Sequence, residues 1–145
     1  MHESRTSRSN GDRFRKHRLL VAEDDRSFRE MLVAIFKADG HEVVAVANGL
    51  DLLDTLAVSV APEVGTGKFD LVISDVRMPG STGLQVFAQM AGAPKIPPFI
   101  LITAFGSEDL HAEAEQLGAV AVLDKPVDFD VLLTFINNFL ATARA

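Results

Sequence analysis

Residues 19–40 read "LLVAEDDRSFREMLVAIFKADG", and their pattern decides the fold. Four apolar residues, Leu19 to Ala22, make a run of strand length that stops at three consecutive acids, Glu23, Asp24 and Asp25. The spacing then changes. Phe28, Met31, Leu32, Ile35 and Phe36 fall at i, i+3, i+4, i+7 and i+8, the period of a helix with one buried face. Gly40 follows as the helix stop. A strand, an acidic turn and a helix form one βα unit. Its turn needs explaining, because crowded carboxylates repel one another and lose hydration when drawn inward.

The same alternation continues along the chain. Short apolar runs recur at "VVAV" (43–46), "LVIS" (71–74), "FILIT" (99–103) and "VAVL" (120–123). Helical spacing fills the intervals. It is carried by Leu52, Leu53 and Leu56 over about 50–58, and by Leu84, Phe87 and Met90 over about 83–90. A fourth helix over about 107–117 starts at Ser107, has Glu108 and Asp109 in its first turn and closes at Gly118. A fifth over about 128–142 starts with Asp128 and carries Leu132, Phe135, Ile136 and Phe139. The strands read as unbroken apolar runs, as they do when helices cover both faces of a parallel sheet. The pattern predicts an α/β fold, a doubly wound, five-stranded parallel sheet with five helices; the expected arrangement is flavodoxin-like, which has strand order 2-1-3-4-5.

Composition narrows the classes. Nearly half of the 145 residues are apolar, which suits one globular domain with a proper core. No apolar run approaches the roughly 20 residues that span a bilayer, and the polar, basic N-terminus does not resemble a secretory signal. Cysteine is absent, and His2, His17, His41 and His111 are scattered without metal-ligand spacing. A cytoplasmic protein is expected. The net charge of −6 is unevenly spread: residues 1–18 hold six Arg/Lys against two acids, and the remainder holds eight against eighteen. Residues 1–17 are therefore expected to be a disordered basic arm, with one domain over 18–145. The acidic body argues against nucleic acid as the main partner.

In open α/β sheets ligands bind beyond the C-terminal strand ends, where strand order reverses. Here those ends deliver Glu23, Asp24 and Asp25 from the first strand, Asp75 from the third, Thr103 and Ala104 from the fourth, and Lys125 and Pro126 from the fifth. Converging carboxylates need counter-charge. Lys125 supplies one, and an all-oxygen donor set suits Mg²⁺ for the rest. A hydroxyl and an ammonium beside such a metal would neutralise a transferring phosphoryl group. Asp75 then has a task, in-line attack on phosphorus to give an aspartyl-phosphate. Two other readings fall away. "VGTGK" (64–68) is no phosphate loop, because Pro62 and Phe69 stand where that motif needs Gly and Ser/Thr. A phosphatase of the haloacid-dehalogenase style needs a second acid two residues after the nucleophile, where Arg77 stands.

"LVAEDD", "LVISDVRMPG", "LITA" and "LDKP", in this order and at strand ends, resemble the receiver domain of two-component response regulators over about residues 17–142. The resemblance implies that Asp75 is the phosphoacceptor and that Asp24 and Asp75 ligate Mg²⁺. Glu23 would act through water and Arg77 through its backbone carbonyl. Thr103 would hydrogen-bond a phosphoryl oxygen, the small Ala104 would leave it room, and Lys125 would pair first with Asp75 and then with the phosphoryl group. The Lys125–Pro126 bond would be the family's cis peptide. Asp25 lies where the family is permissive and is expected to cap the first helix. The partners implied are a histidine kinase or histidine phosphotransfer protein, and a downstream protein target reached through the fourth helix, fifth strand and fifth helix. With no output domain after the fifth helix, the chain resembles a stand-alone receiver, a signalling switch rather than an enzyme.

Three departures from the family pattern matter. Val122 stands three residues before the lysine, where receivers usually carry an aromatic that swings inward. This supports an alternative reading, a phosphorylation-independent interaction module. The connection over 59–68 is long. Arg77 and Phe105 occupy the places two beyond Asp75 and Thr103, which tune autodephosphorylation in the family. A long cation beside a bulky ring would hinder the attacking water and prolong the phosphoryl state. Arg77→Ala is therefore expected to speed loss of the phosphoryl group, and equal decay rates for variant and wild type would remove the idea.

Overall fold

The computed structural model describes residues 17–61, 68–78, 82–90, 93, 96–104 and 106–144. Strands β1 (Arg18–Ala22), β2 (Glu42–Val46), β3 (Leu71–Asp75), β4 (Phe99–Thr103) and β5 (Ala121–Asp124) alternate with five helices. These are α1 (Arg26–Ala38), α2 (Gly49–Val60), α3 (Gly83–Met90), α4 (Glu108–Leu117) and α5 (Phe129–Arg144). Every predicted element is present, with ends shifted by two residues at most. All strand pairs are parallel, and the sheet order is β2-β1-β3-β4-β5. The expected basic arm lies outside the described residues except for His17, as does most of the 59–68 connection.

Local chemistry sets the helix ends. The Asp25 carboxylate accepts from the Phe28 N–H at 2.8 Å, and Asn48 Oδ1 accepts from the Asp51 N–H at 2.8 Å. Ser107 Oγ accepts from the Leu110 N–H at 3.1 Å. At α3, Thr82 and Gln85 exchange bonds: Thr82 Oγ1 accepts from the Gln85 N–H, and Gln85 Oε1 accepts from the Thr82 N–H. Asp128 Oδ1 accepts from the N–H groups of Asp130 and Val131 where α5 begins. Gly40 and Gly118 close α1 and α4 with φ of 96° and 99°, backbone that residues with a Cβ avoid.

Two apolar layers sandwich the sheet. On one face Leu32 and Phe36 of α1 and Leu132, Ile136 and Leu140 of α5 pack on Leu19, Val21, Ile73, Ile100 and Ile102. On the other, Leu52 and Leu56 of α2, Val86 and Phe87 of α3 and Ala114 of α4 pack on Leu20, Val72, Phe99 and Leu101. Successive strand residues point to opposite faces, so one run feeds both layers. Each fully buried Leu or Ile contributes about 1.5–3 kcal/mol. The inner strands β3 and β4 are buried at every position, whereas edge strand β2 exposes Glu42 and Ala45. Far from the strand C-termini, Asn137 Nδ2 donates to Asp39 Oδ2 at 2.7 Å and Asn137 Oδ1 lies 3.2 Å from His41 Nε2, tying the end of α1 to α5. Among the described residues, no helix is long and apolar enough to cross a membrane.

Gly83 fixes how closely α3 approaches the end of β3. Its N–H donates to the Val76 carbonyl at 2.8 Å, and a methyl group on it would collide with the Asp75 carbonyl oxygen and Ser74 Oγ. The obstacle is backbone, which cannot turn aside as a side chain does. Gly83→Ala is expected to cost about 1–3 kcal/mol, read as a lower urea midpoint, with the Ser74 and Asp75 amide resonances displaced. An unchanged midpoint would show that α3 can retreat from the strand.

Candidate functional site

Strand register places the site. Ala22 pairs with Ser74, Asp75 with Ile102 and Thr103 with Asp124. Glu23 therefore falls level with Asp75, Asp24 lies one step beyond β1, and Lys125 follows β5 where its N–H donates to the Thr103 carbonyl at 2.8 Å. Four strand ends meet at one rim, with β1 and β3 flanking the reversal of strand order.

The side chains converge there. Glu23 is 1% exposed and Asp75 6%, whereas Asp24 is open to solvent. One carboxylate oxygen from each of the three acids lies within 4.8 Å of the others. Lys125 Nζ donates to Asp75 Oδ2 at 3.0 Å and to Glu23 Oε1 at 3.3 Å. The remaining oxygens are also engaged: Asp75 Oδ1 accepts from the Arg77 N–H at 3.1 Å, and Glu23 Oε2 from the Asp25 N–H at 3.0 Å. Arg29 Nη1 clamps the turn by donating to the Glu23 carbonyl at 2.9 Å and the Asp24 carbonyl at 3.4 Å. Thr103 is buried at 1% exposure, Ala104 and Pro126 are exposed, and the Lys125–Pro126 peptide is cis. Arg77 is exposed, while Phe105 lies outside the described residues. Asp25 caps α1, as expected.

Two carboxylates drawn inward with one ammonium leave an uncompensated charge. Burial pushes the Glu23 carboxyl up from its ordinary 4.5 to about 7; the Asp25 N–H pulls against this, and the charge of Asp75 adds to it. Burial works against the Lys125 ammonium, but bonds and charge from Asp75, then Glu23, outweigh it and hold its pKa above the ordinary value.

The family model for the response regulator receiver domain matches residues 19–137. The chain belongs to this family. It is 28% identical to the sporulation initiation phosphotransferase F of Bacillus subtilis over 85% of its own length and 93% of that protein. It is 36% identical to the response regulator protein FleR of Pseudomonas aeruginosa over 82% of its length, but spans only 24% of FleR. Among solved structures, the signal receiver domain of a putative LuxO repressor protein from Vibrio parahaemolyticus superposes with a TM-score of 0.78 at 27% identity, covering 89% of this chain and 93% of that one. The receiver fold, its strand order and its two-component class follow from these likenesses.

Several contributors to this receiver's rim were not evident from sequence. Arg29 reads as the polar face of α1, and its clamp depends on the turn curling back over the helix. Gly83 reads only as the first residue of the helix predicted over about 83–90, with nothing to mark its approach to β3. His111 reads as one of four scattered histidines without metal-ligand spacing, yet its Nε2 lies 3.3 Å from Asp124 Oδ1, beside the lysine. No spacing rule predicts that contact.

The Glu23 shift has a sign that can be checked. In metal-free buffer the folded state holds this proton up to about pH 7, whereas the unfolded chain releases it near 4.5. The group's contribution to stability is therefore full below about pH 4.5 and is lost as pH rises through about 7. In EDTA the melting temperature should fall across that window, and Glu23→Gln should flatten the fall. Parallel curves for variant and wild type would contradict the raised pKa.

Proposed function

We propose that this receiver is a phosphoacceptor switch of a two-component phosphorelay, charged on Asp75 by a histidine kinase or histidine phosphotransfer protein. The observation that carries the reading is the buried Asp75 carboxylate with Lys125 Nζ at 3.0 Å and the Glu23 and Asp24 carboxylates beside it. An Asp75 oxygen attacks the donor phosphorus in line. The phosphorus–nitrogen bond of the donor phosphohistidine breaks, its electron pair stays with the imidazole, and an acyl phosphate forms on Asp75. Lys125 moves its bond from Asp75 to a phosphoryl oxygen. The Thr103 hydroxyl donates to another, while the small Ala104 leaves space for the group. The product is a modified signalling domain, not a turnover product.

The acidic cluster fits a hard divalent cation, since its donors are all oxygen and lie within 4.8 Å of one another. Asp24 and Asp75 would hold Mg²⁺ directly, the Arg77 carbonyl would add a ligand and Glu23 would act through water. Bound there, the ion neutralises charge on the phosphoryl oxygens and lowers the repulsion met by the nucleophile.

The output is a population shift relayed to the face made by α4, β5 and α5, biased by the new contacts at Thr103 and Lys125. An open groove of about 470 Å³ on that face is lined by Gly106, Ser107, Glu108, His111, Glu115 and Asp124. Its occupant in this reading is a downstream protein in the cytoplasm. Val122 packs against the layer beneath α4 with no ring to swing, and this favours the second reading, an interaction module indifferent to phosphorylation.

Incubation with Mg²⁺ and acetyl phosphate, followed by intact-protein mass measurement, tests the proposal. One added phosphoryl group is expected in the wild type and none in Asp75→Ala. Mg²⁺ alone should raise the melting temperature of the wild type and not that of Asp24→Asn. No adduct with any small donor favours the interaction module, and steady multiple turnover of donor would mark a phosphatase.

A further inference from the structure

Lys125 has a third neighbour besides its two carboxylates. Its Nζ sits 4.7 Å from the centroid of the Phe28 ring and over the ring face. Phe28 lies in the first turn of α1, where its own N–H is held by the Asp25 cap. The Phe129 ring, first in α5, lies 5.9 Å away at an interplanar angle of 37° and supports it from the neighbouring helix. Both rings are partly buried against the layer formed by α1 and α5. The helical pattern of α1 asks only for an apolar residue at this place, and leucine would satisfy it. An aromatic ring adds a negative face turned toward an ammonium.

We propose that Phe28 is a positioning residue for Lys125, with Phe129 setting the tilt of its ring; the proposal rests on the role given to Lys125 above. A lysine ammonium ends a four-carbon stem with many rotamers, and the exposed Asp24 carboxylate offers it a competing partner. The Phe28 face attracts the cation without accepting a conventional hydrogen bond. The ammonium protons therefore stay directed at Asp75 and Glu23, and one becomes available to the phosphoryl oxygen that replaces the Asp75 contact. A ring also excludes water from one side of the ammonium, which strengthens its bonds to the carboxylates. Two helices from one layer thereby hold a side chain delivered by β5.

The test uses the full chain with ¹³C-labelled lysine. The Lys125 ε-methylene protons, assigned by their loss in Lys125→Arg, are expected upfield of the other lysines in the wild type and in Phe28→Tyr. In Phe28→Leu they should return to the ordinary range. Phe28→Met serves as a second apolar variant should the leucine protein fold poorly. At saturating Mg²⁺, the maximal rate of phosphorylation by acetyl phosphate should fall about three- to tenfold in Phe28→Leu and recover in Phe28→Tyr, with Mg²⁺ affinity unchanged. In a Lys125→Ala background, Phe28→Leu should cause no further loss. An ordinary Lys125 shift in the wild type overturns the proposal, as does equal loss in the tyrosine variant or a loss that persists without the lysine. If the wild type accepts no phosphoryl group, the functional reading fails while the Lys125 resonance still decides the placement.

Discussion

The rest of the molecule is arranged around one electrostatic problem, that of holding Glu23, Asp24 and Asp75 together at the rim of an apolar sheet. Two of these carboxylates are almost fully buried, and one ammonium answers them. The solution is distributed. Lys125 bridges Glu23 and Asp75, the amides of Asp25 and Arg77 take the opposite oxygens, and Arg29 fixes the turn from below. None of these partners lies on the same strand as the carboxylate it serves, apart from the two local amides. The sheet order and the one-residue steps in register are what bring them within reach, so the chemistry at the rim and the packing beneath it are a single constraint.

Much of this was legible in the sequence, and the reason is periodicity. Runs such as "FILIT" have the length and unbroken apolarity of a strand covered on both faces, and Phe28 to Phe36 repeat at helical spacing. The convergence of Glu23, Asp24, Asp75, Thr103 and Lys125 was legible from the rule that parallel βα units present their C-terminal ends on one side, once the flavodoxin-like strand order is expected. What stayed hidden depends on three-dimensional approach. Gly83 counts only as the start of a helix until the Asp75 carbonyl is found against it, and the contact between His111 and Asp124 links residues whose proximity no local pattern encodes. The Phe28 ring likewise counts only as an apolar position until the lysine tip is placed above it.

The two apolar layers divide the labour at the rim. Helices α1 and α5 share a layer and contribute the aromatic pair beneath Lys125, whereas α2, α3 and α4 cover the opposite face, where Val122 packs. Thr103 and Lys125 close the rim from adjacent strands. The contact between His111 and Asp124 joins α4 to the end of β5 beside them. Where the strand carries Val122 in place of an aromatic, that polar contact is a direct side-chain link between the helix and the residue before the lysine.

The bridge from Lys125 to Glu23 spans 102 positions of the chain. The acids emerge early during synthesis and the ammonium late, after all five strands. A chain that has not yet been extended to Lys125, or one cut before it, carries the carboxylates without the counter-charge that makes their crowding tolerable. Competence for the chemistry proposed at this rim is thereby tied to completion of the polypeptide: the pocket certifies that the domain has been made and folded through β5 before it can carry a message.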